Sequence, residues 1–151
     1  VGSEMCIRDS LYSMLALKDA LNSGFDEALI LDVDNNVNEG SGENFFMVKD
    51  GTLYTPRDHT VLNGITRQTI IDISDDLDLE VFEKDISVDD VKEADEAFFT
   101  GTAAEVTPVV QVDQSKIGDG TTGIITRKVQ KEYFDLIRGK NTKYDHWLTR
   151  V

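Results

Sequence analysis

Three separated segments carry the residue types that a phosphorylated ring compound needs: Glu39-Gly40-Ser41-Gly42-Glu43-Asn44-Phe45-Phe46, then Gly64-Ile65-Thr66-Arg67, then Gly101-Thr102-Ala103-Ala104-Glu105. The first offers a carboxylate for a ring nitrogen. The other two are Gly-Thr turns, in which glycine admits close backbone approach and threonine adds a hydroxyl to the N–H groups that can meet a phosphate. A turn that opens a helix at Gly64-Ile65-Thr66 suits a dianion, because unpaired N–H groups and the helix dipole both favour negative charge. One glycine-rich turn is weak evidence, whereas an ordered set of three is specific.

The elements that must position these segments alternate between helix and strand. Leu11, Met14, Leu15, Ala16 and Leu21 fall at helical spacing before Gly24, which predicts an amphipathic helix over 11–21. Strands are expected at 28–31, at 45–48 and at 52–54, the last two joined through Asp50-Gly51, a dipeptide that marks a hairpin. Ile65, Ile70, Ile73 and Leu77 predict a second helix, followed by a strand at 79–82. Ser87 with Asp90 reads as the cap of a short helix running to Glu93. A buried strand at 97–99 and another at 106–112, interrupted by Pro108, come next. Ile125, Val129, Tyr133 and Ile137 recur every four residues, so a long helix is expected from about Thr122 to a stop at Gly139, with Trp147 packing a tail onto the body. The whole reads as one α+β unit over residues 11–151, a mixed sheet or pseudo-barrel with flanking helices. Residues 1–10 show no period and resemble read-through of a sequencing adapter, so they are set aside as a non-native leader.

Composition excludes several function classes. The chain has 151 residues, 40% hydrophobic and 29% charged, enough to bury a core. Its formal net charge of -14 speaks against a nucleic-acid partner, since such proteins gather Lys and Arg on one face. Acidic runs such as Asp75-Asp76 and Asp89-Asp90 belong at helix ends and loops. Cys6 is the only cysteine and no apolar span is long enough for a bilayer, so a cytoplasmic protein without a membrane partner is expected. His59 and His146 stand apart without a cysteine cluster, which leaves no expected zinc site.

With Phe99-Thr100-Gly101-Thr102-Ala103-Ala104-Glu105-Val106-Thr107-Pro108-Val109 added to the first two segments, the chain resembles the C-terminal domain of a branched-chain amino-acid aminotransferase. That family is class IV of the pyridoxal-phosphate aminotransferases. The resemblance covers residues 11–151, including Gly118-Asp119-Gly120 and Trp147-Leu148. It implies pyridoxal 5'-phosphate as cofactor, with Glu39 on the pyridine nitrogen, Leu62 against the ring, and Gly64, Ile65, Thr66 and Thr102 at the phosphate. Thr102 and Ala103 would also meet the substrate carboxylate. The implied activity of the parent enzyme is amino-group transfer between leucine, isoleucine or valine and 2-oxoglutarate, in branched-chain amino-acid biosynthesis, by a homo-oligomer whose partners are a small-molecule amino acid and a 2-oxo acid. A D-amino-acid aminotransferase and an aminodeoxychorismate lyase are the alternatives of the same fold; the wording of Gly42-Glu43-Asn44 and of residues 101–105 resembles the branched-chain branch.

The family's Schiff-base lysine has no counterpart here. Alignment backward from Glu39 puts it at Met5, and the accompanying tyrosine at Ser10, both in the aberrant leader; Lys18 is expected to face solvent and does not replace it. No catalytic residue is therefore expected in this chain, which reads as an inactive fragment without its N-terminal domain, poorly stable because of the apolar surface left uncovered. A different class of function is a calcium loop, because Asp32, Asp34, Asn36, Asn38 and Glu43 match positions one, three, five, seven and twelve of an EF-hand. Against it, position six is Val37 rather than Gly, and residues 45–54 predict a hairpin where the exiting helix belongs.

Overall fold

The computed structural model describes residues 2–59 and 61–149, with the backbone alone for residues 2–10. Its spine is β3 (Asn44–Lys49), a strand buried along almost all of its length. An Asp50-Gly51 turn, with φ of 51° and 82°, returns the chain into β4 (Thr52–Thr55). Both residues take positive φ, as a turn matching strand twist demands, and this hairpin is where the sequence placed it.

Around β3 the sheet forks. One edge is shared by β2 (Val37–Glu39), paired at Glu39↔Asn44, and by β4, paired from Met47↔Tyr54 to Lys49↔Thr52. On the other edge lies β6 (Glu96–Gly101), followed by β7 (Glu105–Val109). β1 (Ile30–Leu31) extends the β2 side, and β5 (Val81–Glu83) pairs parallel to β4, making a mixed seven-stranded sheet, as the fold class expected from the sequence requires. At the fork, Thr55 Oγ1 donates to the Phe45 carbonyl at 2.8 Å.

Because β3 is central, its two faces feed two cores. Phe46 stacks on Phe98 at 5.2 Å between centroids, on the face covered by α2 (Ile65–Ser74) and α4 (Ile124–Ile137). Phe45 meets Phe99 edge-on at 5.9 Å, on the face that includes Ile86, Val91 of α3 (Val88–Lys92) and Ile117. Burial of these rings, each about 1.5–3 kcal/mol, fixes the spine in place. The Ser87–Asp90 capping box is formed at α3.

Several expectations are corrected. α1 runs Gly2–Asn22, so the helix starts nine residues before Leu11, and the backbone of 2–10 continues it although no side-chain pattern announces it. Its apolar residues Leu11, Met14, Leu15 and Leu21 are 54–67% exposed, in keeping with the uncovered apolar surface expected. Pro108 does not interrupt its strand: it lies in β7, which among the described residues pairs only with β6, so a missing N–H is tolerated on the outer edge. The break comes instead at Val110, before a separate hairpin of β8 (Gln111–Val112) and β9 (Ser115–Lys116). In α4 the buried stripe is Thr126, Val129, Tyr133 and Leu136, and Ile137 is exposed, because a period of 3.6 drifts off a strict four-residue repeat. The tail is anchored by buried Tyr144 rather than by Trp147, which is 41% exposed. No helix among the described residues is long and apolar enough to cross a membrane.

That tail is pinned by one carboxylate. Asp76, just past α2, takes hydrogen bonds from Lys143 and from the Tyr144 hydroxyl, the latter at 2.7 Å. The Lys143 bond first, then that of Tyr144, holds the Asp76 carboxyl below its ordinary range. A lowered acid favours the fold above its unfolded pKa and loses that contribution as pH falls through the folded value. Stability followed from pH 6 down to pH 2 should therefore drop less steeply in D76N than in the wild type, with tryptic cleavage after Lys143 faster in D76N at pH 7.

Candidate cofactor site at the fork of the sheet

The predicted site residues gather where β2 and β4 part. Glu39 ends β2, and its Oε2 accepts the backbone N–H of Leu62 at 3.3 Å. Asn44, its cross-strand partner, donates Nδ2 to the Leu62 carbonyl at 2.7 Å, a carbonyl that also accepts Gly64 N–H at 2.8 Å. The turn 62–64 is thus clasped to two adjacent strands and delivers the start of α2 beside Glu39.

Gly64 is the N-cap of α2, with φ of -68° and ψ of 143°. Any residue adopts that backbone, so conformation does not demand glycine here. The neighbour does: a Cβ would collide with Asn44 Oδ1. Gly64 gives α2 no side-chain cap and no acid occupies the first turn. The N–H groups of Ile65, Thr66 and Arg67 come before the first helical bond, which runs from Gln68 N–H to the Gly64 carbonyl at 3.0 Å. α4, by contrast, has its first turn filled by Glu96, which accepts Ile125 N–H at 3.0 Å and Thr126 N–H at 2.6 Å.

The third segment arrives through β6. Thr100 stands opposite Asn44, so Glu39, Asn44 and Thr100 form a row across three strands, spanning about 10 Å at the usual strand spacing. Two residues on, Thr102 and Ala103 occupy the exposed turn between β6 and β7. Gly101 abuts loop 40–43, where a Cβ would lie 3.3 Å from the Gly42 carbonyl. The structure therefore brings together Glu39, Leu62, Gly64, Ile65 and Thr66, and carries Thr102 and Ala103 in the turn that follows the neighbouring strand β6.

The residues present fit a phosphorylated, protonated heterocycle. A carboxylate stands near one end and near the other a helix start whose first three N–H groups have no partner among the described residues, and the apolar side chains of Leu62 (77% exposed) and Ile65 (88% exposed) are open to solvent. Thr100 Oγ1 is buried and has no hydrogen-bond partner among the described residues. An open groove of about 630 Å³ between α2, α4 and the tail adjoins this site and shares Asn63, Gly64, Ile65 and Thr66 with it. The calcium reading does not survive the fold. Asp32 Oδ1 accepts the N–H groups of Asp34 at 2.9 Å and Asn36 at 2.8 Å, closing the β1–β2 hairpin where an EF-hand needs helices, and Val37 is buried in the core.

Three residues of the site carry no role in the sequence reading. Asn44 lies within a quoted motif, and its polar side chain next to a run of buried aromatics is the signal that could have singled it out. Arg67, 1% exposed, donates Nη2 to the Pro56 carbonyl and to Glu83 Oε2, each at 2.9 Å, while Glu83 also takes Asp58 N–H at 3.0 Å. It thereby holds the loop leading to Leu62. Nothing local distinguishes Arg67 from a surface arginine. Thr100 gives no signal beyond its place before Gly101. Lys18 is exposed on α1, as expected.

Comparison with known proteins identifies relatives of this chain. The family model described as amino-transferase class IV matches residues 7–112. The branched-chain-amino-acid aminotransferase of Pseudomonas aeruginosa is 53% identical over 139 residues, 92% of this chain and 45% of that protein. That of Escherichia coli is 42% identical over 142 residues, covering 93% and 46%. Among solved structures, a T.th. branched-chain amino acid aminotransferase complexed with N-(5'-phosphopyridoxyl)-L-glutamate superposes with a TM-score of 0.91 at 44% identity, covering 93% of this chain and 48% of that one. The chain spans about half the length of the curated relatives it matches.

Glu43 lies under the Gly101 turn, and burial, followed by the Glu27 carboxylate, pushes its carboxyl above the usual range against the opposing Gly42 N–H, 3.0 Å away. A raised acid favours the fold at low pH and disfavours it once ionised. E43Q should accordingly raise the melting midpoint at pH 7 by about 1–3 °C, with the gain shrinking toward pH 4; the shift is kept small because this carboxylate is partly screened by solvent.

Proposed function

This chain belongs to the amino-transferase class IV family, and from that premise we propose that it is the C-terminal, cofactor-binding part of an enzyme moving amino groups between branched-chain L-amino acids and 2-oxoglutarate with pyridoxal 5'-phosphate. The observation that carries the reading is the clasp of Leu62 between Glu39 and Asn44, which sets a carboxylate beside an open helix start. The relatives reported above are all branched-chain enzymes, which favours that branch over a D-amino-acid aminotransferase or an aminodeoxychorismate lyase.

When bound, pyridoxal phosphate supplies a ring that takes up the electrons released as the substrate Cα–H bond breaks. The site residues of this chain divide the tasks toward it. Glu39 keeps a proton on the pyridine nitrogen, which a neutral side chain at the same place cannot do. Leu62 fixes the ring plane with an exposed apolar side chain on a backbone held at both ends. The N–H groups of Ile65 and Thr66, with the hydroxyls of Thr66 and Thr102, bind the phosphate; Gly64 lets that turn sit against Asn44. Thr102 and Ala103 offer N–H groups to the substrate carboxylate. Lys18, exposed on α1, takes no part in holding the cofactor. The whole protein works as a homo-oligomer in the cytoplasm, readings that rest on the family resemblance and on the single cysteine.

The test uses the complete protein supplied with pyridoxal phosphate. Leucine, isoleucine and valine should each yield glutamate from 2-oxoglutarate, and E39A should lower kcat by about 10²–10³-fold, the loss typical of removing one fixed electrostatic group. Absence of glutamate with all three substrates overturns the proposal.

A further inference from the structure

We infer that Asn44 is a positioning residue, whose carboxamide sets the Leu62–Thr66 turn at the height and angle that the ring and phosphate require. The inference rests on the cofactor reading above but concerns a residue that reading leaves without a task. Asn44 is 6% exposed at the start of the central strand, between Glu39 on one side and Thr100 on the other. Its two polar atoms face the same turn: Nδ2 holds the Leu62 carbonyl at 2.7 Å, and Oδ1 fills the space where Gly64 lacks a side chain.

The arrangement makes one residue the hinge point of the site. Leu62 gives its N–H to Glu39 and its carbonyl to Asn44, so side chains of two adjacent strands fix both ends of a residue whose own side chain is exposed. Release of the Asn44 bond leaves Leu62 held from one side only. The α2 start, joined to Leu62 through Asn63 and Gly64, is then free to tilt away from Glu39. A ligand that touches both the carboxylate and the helix start reads that tilt directly, whereas the two core clusters, built on Phe46 and on Phe45 further along β3, do not include Asn44.

Asp is the informative replacement, because it keeps the size of Asn44 while turning a donor into an acceptor facing the Leu62 carbonyl. In the complete, cofactor-free protein, N44A and N44D should each weaken pyridoxal phosphate binding by about ten- to a hundredfold, as expected for unmaking a buried hydrogen bond. Hydrogen exchange of the amides of residues 62–66 should accelerate while that of β3 and β6 is unchanged. A double-mutant cycle adds a readout that general destabilisation does not move: G64A should weaken binding in the wild-type background and much less in N44A, since the side chain it strikes is gone. Unchanged affinity in N44A and N44D overturns the inference, even if the melting midpoint falls, and so do additive effects of G64A and N44A. Failure of the wild type itself to bind pyridoxal phosphate counts against the cofactor reading; exchange at residues 62–66 in N44A against wild type then still decides whether Asn44 holds the turn.

Discussion

Two hydrogen bonds to the backbone of Leu62 are the constraint on which the site depends. They can form only because β2 and β4 divide one edge of β3 between them, leaving a gap at the fork through which the chain leaving β4 passes back beside Glu39. A continuous strand along that edge would pair with Phe45 and Phe46 and close the space. The fork thus converts a sheet edge into a place where a loop, a helix start and a carboxylate meet, while the remaining backbone groups nearby find partners such as Thr55 Oγ1.

Rigidity at that place comes from what lies behind it. β3 is packed on both faces, Phe46 against Phe98 and Phe45 against Phe99, and a strand held from both sides cannot slip by one residue without exchanging two aromatic faces. Site residues at the ends of such strands inherit that register. Glu39, Asn44 and Thr100 are aligned because the pairing of hydrophobic residues further along has already decided which residues face each other. Acidic side chains do the fastening around the rim: Glu96 fills the start of α4, Asp90 closes the capping box of α3, and Asp76 ties down the tail. Part of the large negative charge is thereby engaged in structural contacts.

Local signals were legible where a single residue's chemistry decides the backbone. Asp50-Gly51 specifies a turn through its positive φ angles, and Ser87 with Asp90 specifies a helix start through its own hydrogen bonds, so both appear where the sequence puts them. The stripe of α4 was legible in kind but drifted at its end, where Leu136 rather than Ile137 reaches the core. The anchor of the tail went to Tyr144 over the larger Trp147 because Asp76, sixty-eight residues away, offers its hydroxyl a partner. Pro108 reads as an interruption only while β7 is imagined with a neighbour on its outer side, and among the described residues it has none.

For the site itself, sequence determined the chemical inventory: a carboxylate, two Gly-Thr turns and their order along the chain. Those are properties of residue type and of local backbone, and they survive in any reading of the string. Tertiary structure alone decided that Asn44 and Arg67 support the turn between them, and that Gly64 is required by a neighbouring carboxamide instead of by its own dihedral angles. Contacts between residues eleven to twenty positions apart depend on where a fork opens in a sheet, and that follows from strand pairing across the whole chain, which no short segment encodes.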